Sequence, residues 1–370
     1  MTMSETGKHP SKITGTDVLE LHRELVAIPS LSREESEVAS HLESHFQSAG
    51  LSPRRIGDNI VVALGEGSNT LLLNSHLDVV PPSADHPYPP FEPTLVDGQI
   101  FGRGSVDAKA SVASMATAVC RLFADRFTPF EGKIVAAFTT CEETGGFDNG
   151  LEHILPELPT LGAALIGEPT HMQPCIAQKG LLILRLVARG RSAHAARAQE
   201  GDNAIDRMAR DVALLSEFSF DKIHPHLGET SLSVTMIEGG TARNMIPDSC
   251  TAFVDIRSTP CYTHDEIAAV LDDLLESEVH IHSKRFVPTD TPTGAAIVQA
   301  CLNGNPNSKA FGSPTMSDWI HVKDIPTVKI GPGDSRLSHT AQEHISSNEL
   351  VQSCAIYESI IINYFQQNHA

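Results

Sequence analysis

From Asn59 onward, short β-rich runs alternate with helical stretches, and this alternation limits the possible fold more than any other feature of the chain. NIVVAL, TLLLNSHLDVV, KIVAAFTT and AALIGEP read as strands bounded by turn residues, with a Pro-rich loop from Pro81 to Pro93. Between them, Ala108 to Phe123 and Leu151 to Leu158 read as helices. Such alternation predicts an α/β fold with a mixed, mostly parallel sheet covered by helices. Upstream, Val18, Leu21, Leu25 and Ile28, then Val38, Leu42 and Phe46, recur at helical spacing on either side of Pro29. Two helices broken at Pro29 and Ser30 account for that pattern.

Near Lys179 the texture changes. LLILRLVARG reads as a strand, Asn203 to Phe218 as an amphipathic helix, and SLSVTMIEGG and CTAFVDIRST as two more strands. A helix from His264 to Ser277 and the strand EVHIHSKRF complete a β-α-β-β-α-β order, that of an inserted ferredoxin-like α+β domain. The chain re-enters the larger domain near Thr289 to Thr293, with last strands near Thr327 to Ile330. The predicted division is residues 1–178 and 291–370 for a catalytic domain and 179–290 for the insertion. A length of 370 residues agrees, since one core serves roughly 100 to 200 residues.

Composition removes several classes of function. Forty-six acidic against twenty-seven basic residues give a formal charge of -19, which repels phosphate backbones and argues against a nucleic-acid partner. The leader MTMSETGKHPSK lacks the apolar core of a secretory signal, and no run is apolar for the ~20 residues a membrane span needs. A cytoplasmic location with no membrane partner is expected. Seven scattered cysteines, never spaced as CxxC, read as reduced thiols, so any metal must be held by nitrogen and oxygen.

Several of the strands end in a group that could do so. His76 and Asp78 close LLLNSHLD, Asp107 ends the Gly-rich GRGSVD, Glu142 and Glu143 follow AFTTC, and Glu168 follows ALIG. Ligands of open α/β sheets bind at the carboxyl ends of the strands, so these groups would converge on one crevice. Crowded acids raise one another's proton affinity unless a cation relieves them. Zinc accepts imidazole and carboxylate donors, and two metals can share a carboxylate. A further imidazole, His339, follows the last strand in GPGDSRLSHT.

In order, SHLDVVP, GRGSVDAKA, CEETGG, IGEPT, GRSAHAA and GPGDSRLSHTAQEH resemble the signatures of the M20 metallopeptidase family over nearly the whole chain. Among its branches the chain resembles the acetylornithine or acetylcitrulline deacetylases most, because of the GPGD before the last histidine. The resemblance implies two divalent metal ions, zinc first and cobalt or manganese as alternatives. Asp107 would bridge them, Glu143 and His339 would complete one site, and His76 and Glu168 the other. Glu142 would be the general base of amide hydrolysis, and Asp78 would orient His76 through its second nitrogen. His194 in RSAHAA would reach an active site across a homodimer formed by the inserted domain. Arg257 and Asn244 resemble positions that hold a substrate carboxylate, while Gly331 and Gly333 would keep a backbone loop close to the substrate. The sequence departs from the family at Ala110 and Cys141, neither a ligand position, and assigns no role to Ser317 or Asp318. The implied reaction is deacylation of an N-acyl amino acid, N2-acetylornithine in arginine biosynthesis first. A desuccinylase acting on succinyl-diaminopimelate, a dipeptidase and an inactive binding protein are the alternatives.

Overall fold

The computed structural model describes residues 15–127, 132–145 and 147–367. The chain divides into two compact units, each with its own apolar core. The first comprises Met1–Ile176, Thr291–Ala310 and Ser317–Ala370, the second Ala177–Asp290 and Phe311–Met316. The sequence places these borders at 178/179 and 290/291 and does not detach Phe311–Met316. That segment holds only a three-residue strand, Phe311–Ser313, too short to show a period, and the Ser313 carbonyl accepts from the Lys179 amide at 3.0 Å.

In the first unit the sheet runs, in spatial order, Arg54–Ile56, Asn59–Leu64, Gly132–Thr139, Asn69–His76, Ala163–Ile166 and Thr327–Lys329. The last four are parallel to one another, and the first two add an antiparallel edge. Seven of the eight residues of Asn69–His76 are buried, as a strand covered on both faces requires. Registers place the strand ends side by side: His76 lies opposite Thr139, and Ile166 opposite both Asn74 and Lys329. Everything that follows the four strand ends His76, Thr139, Ile166 and Lys329 therefore emerges at one end of the sheet.

The helices Gly15–Ala27, Lys109–Ala124, Ala296–Gly304 and Ser347–Gln367 pack against one another and share the core. Lys109–Ala124 is buried from Lys109 through Cys120, which its run of Ala and Ser permits by letting neighbours approach on every side. Ala110, a departure from the family pattern, sits there without exposure. A hairpin of Thr94–Val96 and Gln99–Phe101 takes His344–Ser346 as a third strand, bringing the C-terminal part of the unit to the loop that follows Phe101.

The second unit is a four-stranded antiparallel sheet of order Ser231–Gly239, Ser249–Ser258, Gly180–Arg189 and Glu278–Phe286. Ser249–Ser258 alternates strictly, Cys250, Ala252, Val254 and Ile256 facing the core with the helices Ala204–Glu217 and His264–Leu274. Asn203 caps the first helix by accepting from Ile205, and Thr263 with Glu266 forms a capping box on the second. The connectivity is the expected ferredoxin-like one.

Candidate metal centre

His76 is the last residue of its strand and is buried. Its Nδ1 donates to the backbone carbonyl of Asp78 at 2.9 Å and lies 3.4 Å from the Asp78 carboxylate. With that nitrogen committed, Nε2 faces outward, 3.2 Å from Asp107 Oδ1 and 3.8 Å from Glu168 Oε1. The shorter contact makes the carbonyl the principal orienting partner of the ring. The Asp78 carboxylate has a second task the sequence did not suggest. It accepts the backbone amides of Glu142 and Glu143, each at 3.1 Å, and the Ser32 hydroxyl at 2.7 Å.

Glu142 and Glu143 stand on a single 3₁₀ turn, Glu142–Thr144, entered through Cys141 and left through Gly145, both with left-handed backbones. Cys141, the other departure from the family pattern, is tied down by Glu35, whose carboxylate accepts its amide at 3.0 Å. Glu168 follows Ala163–Ile166 and is held by a close approach of backbones: a Cβ on Gly331 would meet the Glu168 carbonyl at 2.5 Å. Gly331 and Gly333 in turn accept the amides of Thr170, Met172 and His171. The tight contact these glycines make is thus with the Glu168 segment. His339, half exposed and with a φ of 63°, brings Nε2 to 2.8 Å from Glu143 Oε1 and 3.6 Å from Asp107 Oδ2.

Asp107 accordingly divides its two oxygens between two imidazoles. One oxygen faces His76, near Glu168; the other faces His339, beside Glu143. Donor atoms of His76, Glu142 and Glu168 lie within 4.8 Å of one another, as do those of His76, Asp107 and Glu143. Burial raises the Glu168 carboxyl to about 8, helped by the charge of Asp107. Glu142 is pushed well above the usual carboxylate range by burial, with the charges of Glu168, Asp318 and Glu143 adding to it. His76 goes up despite a burial that alone would lower it, because Asp107 and Asp78 accept from it. Such a set takes up protons when no cation is present, and its imidazole and carboxylate donors fit two divalent metal ions.

Two further residues belong to this region. Asp318 is buried and accepts from Asn149 Nδ2 at 2.6 Å, its charge felt at Glu142. Glu343 is buried under the Asp107 loop, where it meets Arg103 and two backbone amides. Neither announces itself in sequence, because an acid buried by distant partners is written like one on the surface.

The remaining predicted residues are in the second unit. His194 is exposed and caps the 3₁₀ segment Ala195–Glu200, its Nδ1 accepting from the Ala196 amide at 3.1 Å. Asn244 lies alongside, its carbonyl accepting from Ala195 at 2.9 Å, where Ala193–His194 pairs with Met245–Ile246. Arg257 forks onto Asp255, with Nε at 2.8 Å and Nη2 at 3.2 Å from its two oxygens.

Acids and imidazoles gathered at the ends of parallel strands, with one carboxylate spanning two histidines, are the donor set of a two-metal hydrolase. Residues 72–363 match the model of the peptidase family M20/M25/M40, and the chain belongs to that family. It is similar to a succinyl-diaminopimelate desuccinylase of Wolbachia pipientis, 28% identical over 374 residues, 94% of each chain. Among solved structures it is similar to aminopeptidase PepT of Bacillus cereus, with TM-score 0.77 and 21% identity, covering 96% of this chain and 100% of that one. The Bacillus subtilis YXEP protein, a dinuclear metal binding peptidase, superposes with TM-score 0.74 at 14% identity over 94% and 97% of the two chains. Among the described residues no helix is long and apolar enough to cross a membrane.

Proposed function

We propose that the chain hydrolyses the amide bond of an N-acyl amino acid, N2-acetylornithine or acetylcitrulline first. The observation that carries the hydrolytic reading is the division of Asp107 between His76 and His339, with Glu142 free of either histidine's hydrogen bonds. His76, Asp107, Glu143, Glu168 and His339 would hold two cations, zinc before cobalt or manganese. When bound, these supply positive charge that polarises the amide carbonyl and acidifies water. Glu142 is the base that takes the proton of the attacking water and returns it to the departing amine nitrogen, a role suited to a buried carboxyl of raised proton affinity. Asp78 keeps that carboxylate in place through the Glu142 amide. Arg257 is assigned the substrate α-carboxylate, sharing its guanidinium with Asp255, and Asn244 a neighbouring contact. None of the seven cysteines is in a disulfide, which supports a cytoplasmic setting.

The segment GPGDSRLSHTAQEH favours the acetyl substrates, whereas the 28% identical Wolbachia relative favours succinyl-diaminopimelate. Comparing kcat/KM for acetylornithine, acetylcitrulline, succinyl-diaminopimelate and a dipeptide with metal-loaded enzyme decides between them. The acetyl substrates are expected to be turned over best. A preference for the succinyl compound would overturn the branch and leave the amide chemistry standing.

The same reading assigns a homodimer through the second unit, with His194 serving the partner's site. Mixing inactive His194→Ala and Glu142→Ala subunits should restore part of the activity, since one hybrid site has both groups. No recovery after proven exchange, or a monomer by light scattering, would refute it.

A further inference from the structure

Glu343 lies four residues beyond His339 and 236 residues from Asp107, and it is 1% exposed. Its Oε1 accepts two successive backbone amides, Val106 at 2.9 Å and Asp107 at 3.0 Å. Its Oε2 accepts from Nη1 of Arg103, itself 2% exposed. All three donors belong to the five residues that end at Asp107. That stretch, Arg103 to Asp107, is neither helix nor strand, so its amides have no ladder to join, and buried amides need acceptors. The carbonyl of Glu343 also accepts from Gly102 at 3.3 Å, and the adjoining strand His344–Ser346 pairs with Gln99–Phe101 on the other side of the loop.

We infer that Glu343 is a positioning residue for the metal centre: its carboxylate holds the Asp107 backbone so that the two oxygens of that side chain face His76 and His339. The inference rests on the metal assignment above but not on any choice of substrate. An ion pair of this kind is expensive to bury, and similar pairs are often replaced by apolar residues without loss of stability. A purely structural role would therefore tolerate apolar residues at both positions. A positioning role would not, because the amides of Val106 and Asp107 would lose their acceptor. The same segment carries His339, so one carboxylate fixes the spacing between the bridging ligand and a ligand on the far side of it.

Two double variants separate these roles. Glu343→Gln with Arg103→Met removes the ion pair but keeps an amide oxygen where Oε1 stands. Glu343→Met with Arg103→Met removes the pair and the acceptor together. Zinc affinity, measured by competition with a chromophoric chelator well below each variant's Tm, is the readout. The glutamine double is expected to bind zinc within about threefold of wild type, and the methionine double to be weaker by about 10- to 100-fold, the usual effect of losing a partner that orients ligands. Should the methionine double fail to fold, Glu343→Asp replaces it: the charge and its pairing with Arg103 are kept, the reach to both amides is lost, and a comparable weakening is expected. Equal zinc affinities in wild type and either acceptor-deficient variant would overturn the positioning role alone. A wild-type chain that takes up no zinc would overturn both this role and the metal assignment.

Discussion

Two adjacent glutamates on one 3₁₀ turn face different neighbours, and the separate roles proposed for them follow from that difference. Glu143 Oε1 is 2.8 Å from His339, whereas Glu142 turns toward the His76 and Glu168 side, where burial and neighbouring acids raise its proton affinity. Asp107→Ala should deplete metal at both positions, because its oxygens serve each, and elemental analysis of the purified variant checks this. Unchanged metal content would remove Asp107 from its bridging role. Glu142→Ala should keep its metal and lose turnover by about 10² to 10⁴, the usual worth of a general base. A variant that stayed largely active would end that assignment. That these six acids and imidazoles would come together could be read from the sequence, since each stands at a recognisable strand end or motif. Glu343 and the contacts of Asp78 to the Glu142 and Glu143 amides were not, because they join residues far apart in the chain through buried hydrogen bonds with no local period.

Several elements long enough to show a period were read well, but the helices Ala296–Gly304 and Ser347–Gln367, the latter the longest element described, were not read from the sequence. The helices Gly15–Ala27 and Lys109–Ala124 and the strands Gly180–Arg189 and Ser249–Ser258 fall where the apolar spacing puts them. Three-residue strands such as Thr94–Val96, Gln99–Phe101 and His344–Ser346 were missed, since three residues cannot display an alternation. Nor did periodicity expose the polar groups inside helices. His22, in the first helix, is fully buried, donates from Nε2 to the Ser105 carbonyl at 2.9 Å, and has no hydrogen-bond partner at Nδ1 among the described residues. Burial lowers it to about 4 from the ordinary 6.5. The unfolded chain thus binds this proton more readily than the folded one, so stability is complete above about pH 6.5 and is lost as pH falls toward 4. At 1.36 kcal/mol per pH unit the loss is on the order of 3 kcal/mol. His22→Gln keeps a donor for Ser105 and does not titrate. Urea unfolding between pH 7 and 4.5 should show a flatter profile for that variant; equal slopes would exclude His22 as the cause.

At the scale of the molecule there are two separate cores, and the proposed metal assignment makes only one of the two bodies dependent on metal. His76, Asp107, Glu142, Glu143, Glu168 and His339 all lie in the first unit. A ligand present at about a thousand times its Kd stabilises its binder by about 4 kcal/mol. Calorimetry with and without chelator should therefore shift a transition belonging to the first unit and leave one belonging to the second in place. A trace that chelator does not change would contradict the metal assignment. The division into a larger α/β body and a ferredoxin-like insertion was legible because the order of strands and helices changes near Lys179, whereas the membership of Phe311–Met316 depends on pairings that only the folded chain displays.

The parallel pairing of Thr327–Lys329 with Ala163–Ile166 has a consequence for how the protein is made. A ribosome delivers residue 166 long before residue 327, and in the interval the first unit has a strand whose outer edge lacks its neighbour. The second unit's strands and helices, between residues 180 and 286, emerge in that interval and can form their own sheet. The acids at positions 107, 142, 143 and 168 wait longer still, for the imidazole at 339 and the carboxylate at 343. Nascent chains stalled before residue 327 would carry a finished insertion on an open-edged sheet, the kind of intermediate that recruits chaperones or pairs with a copy of itself.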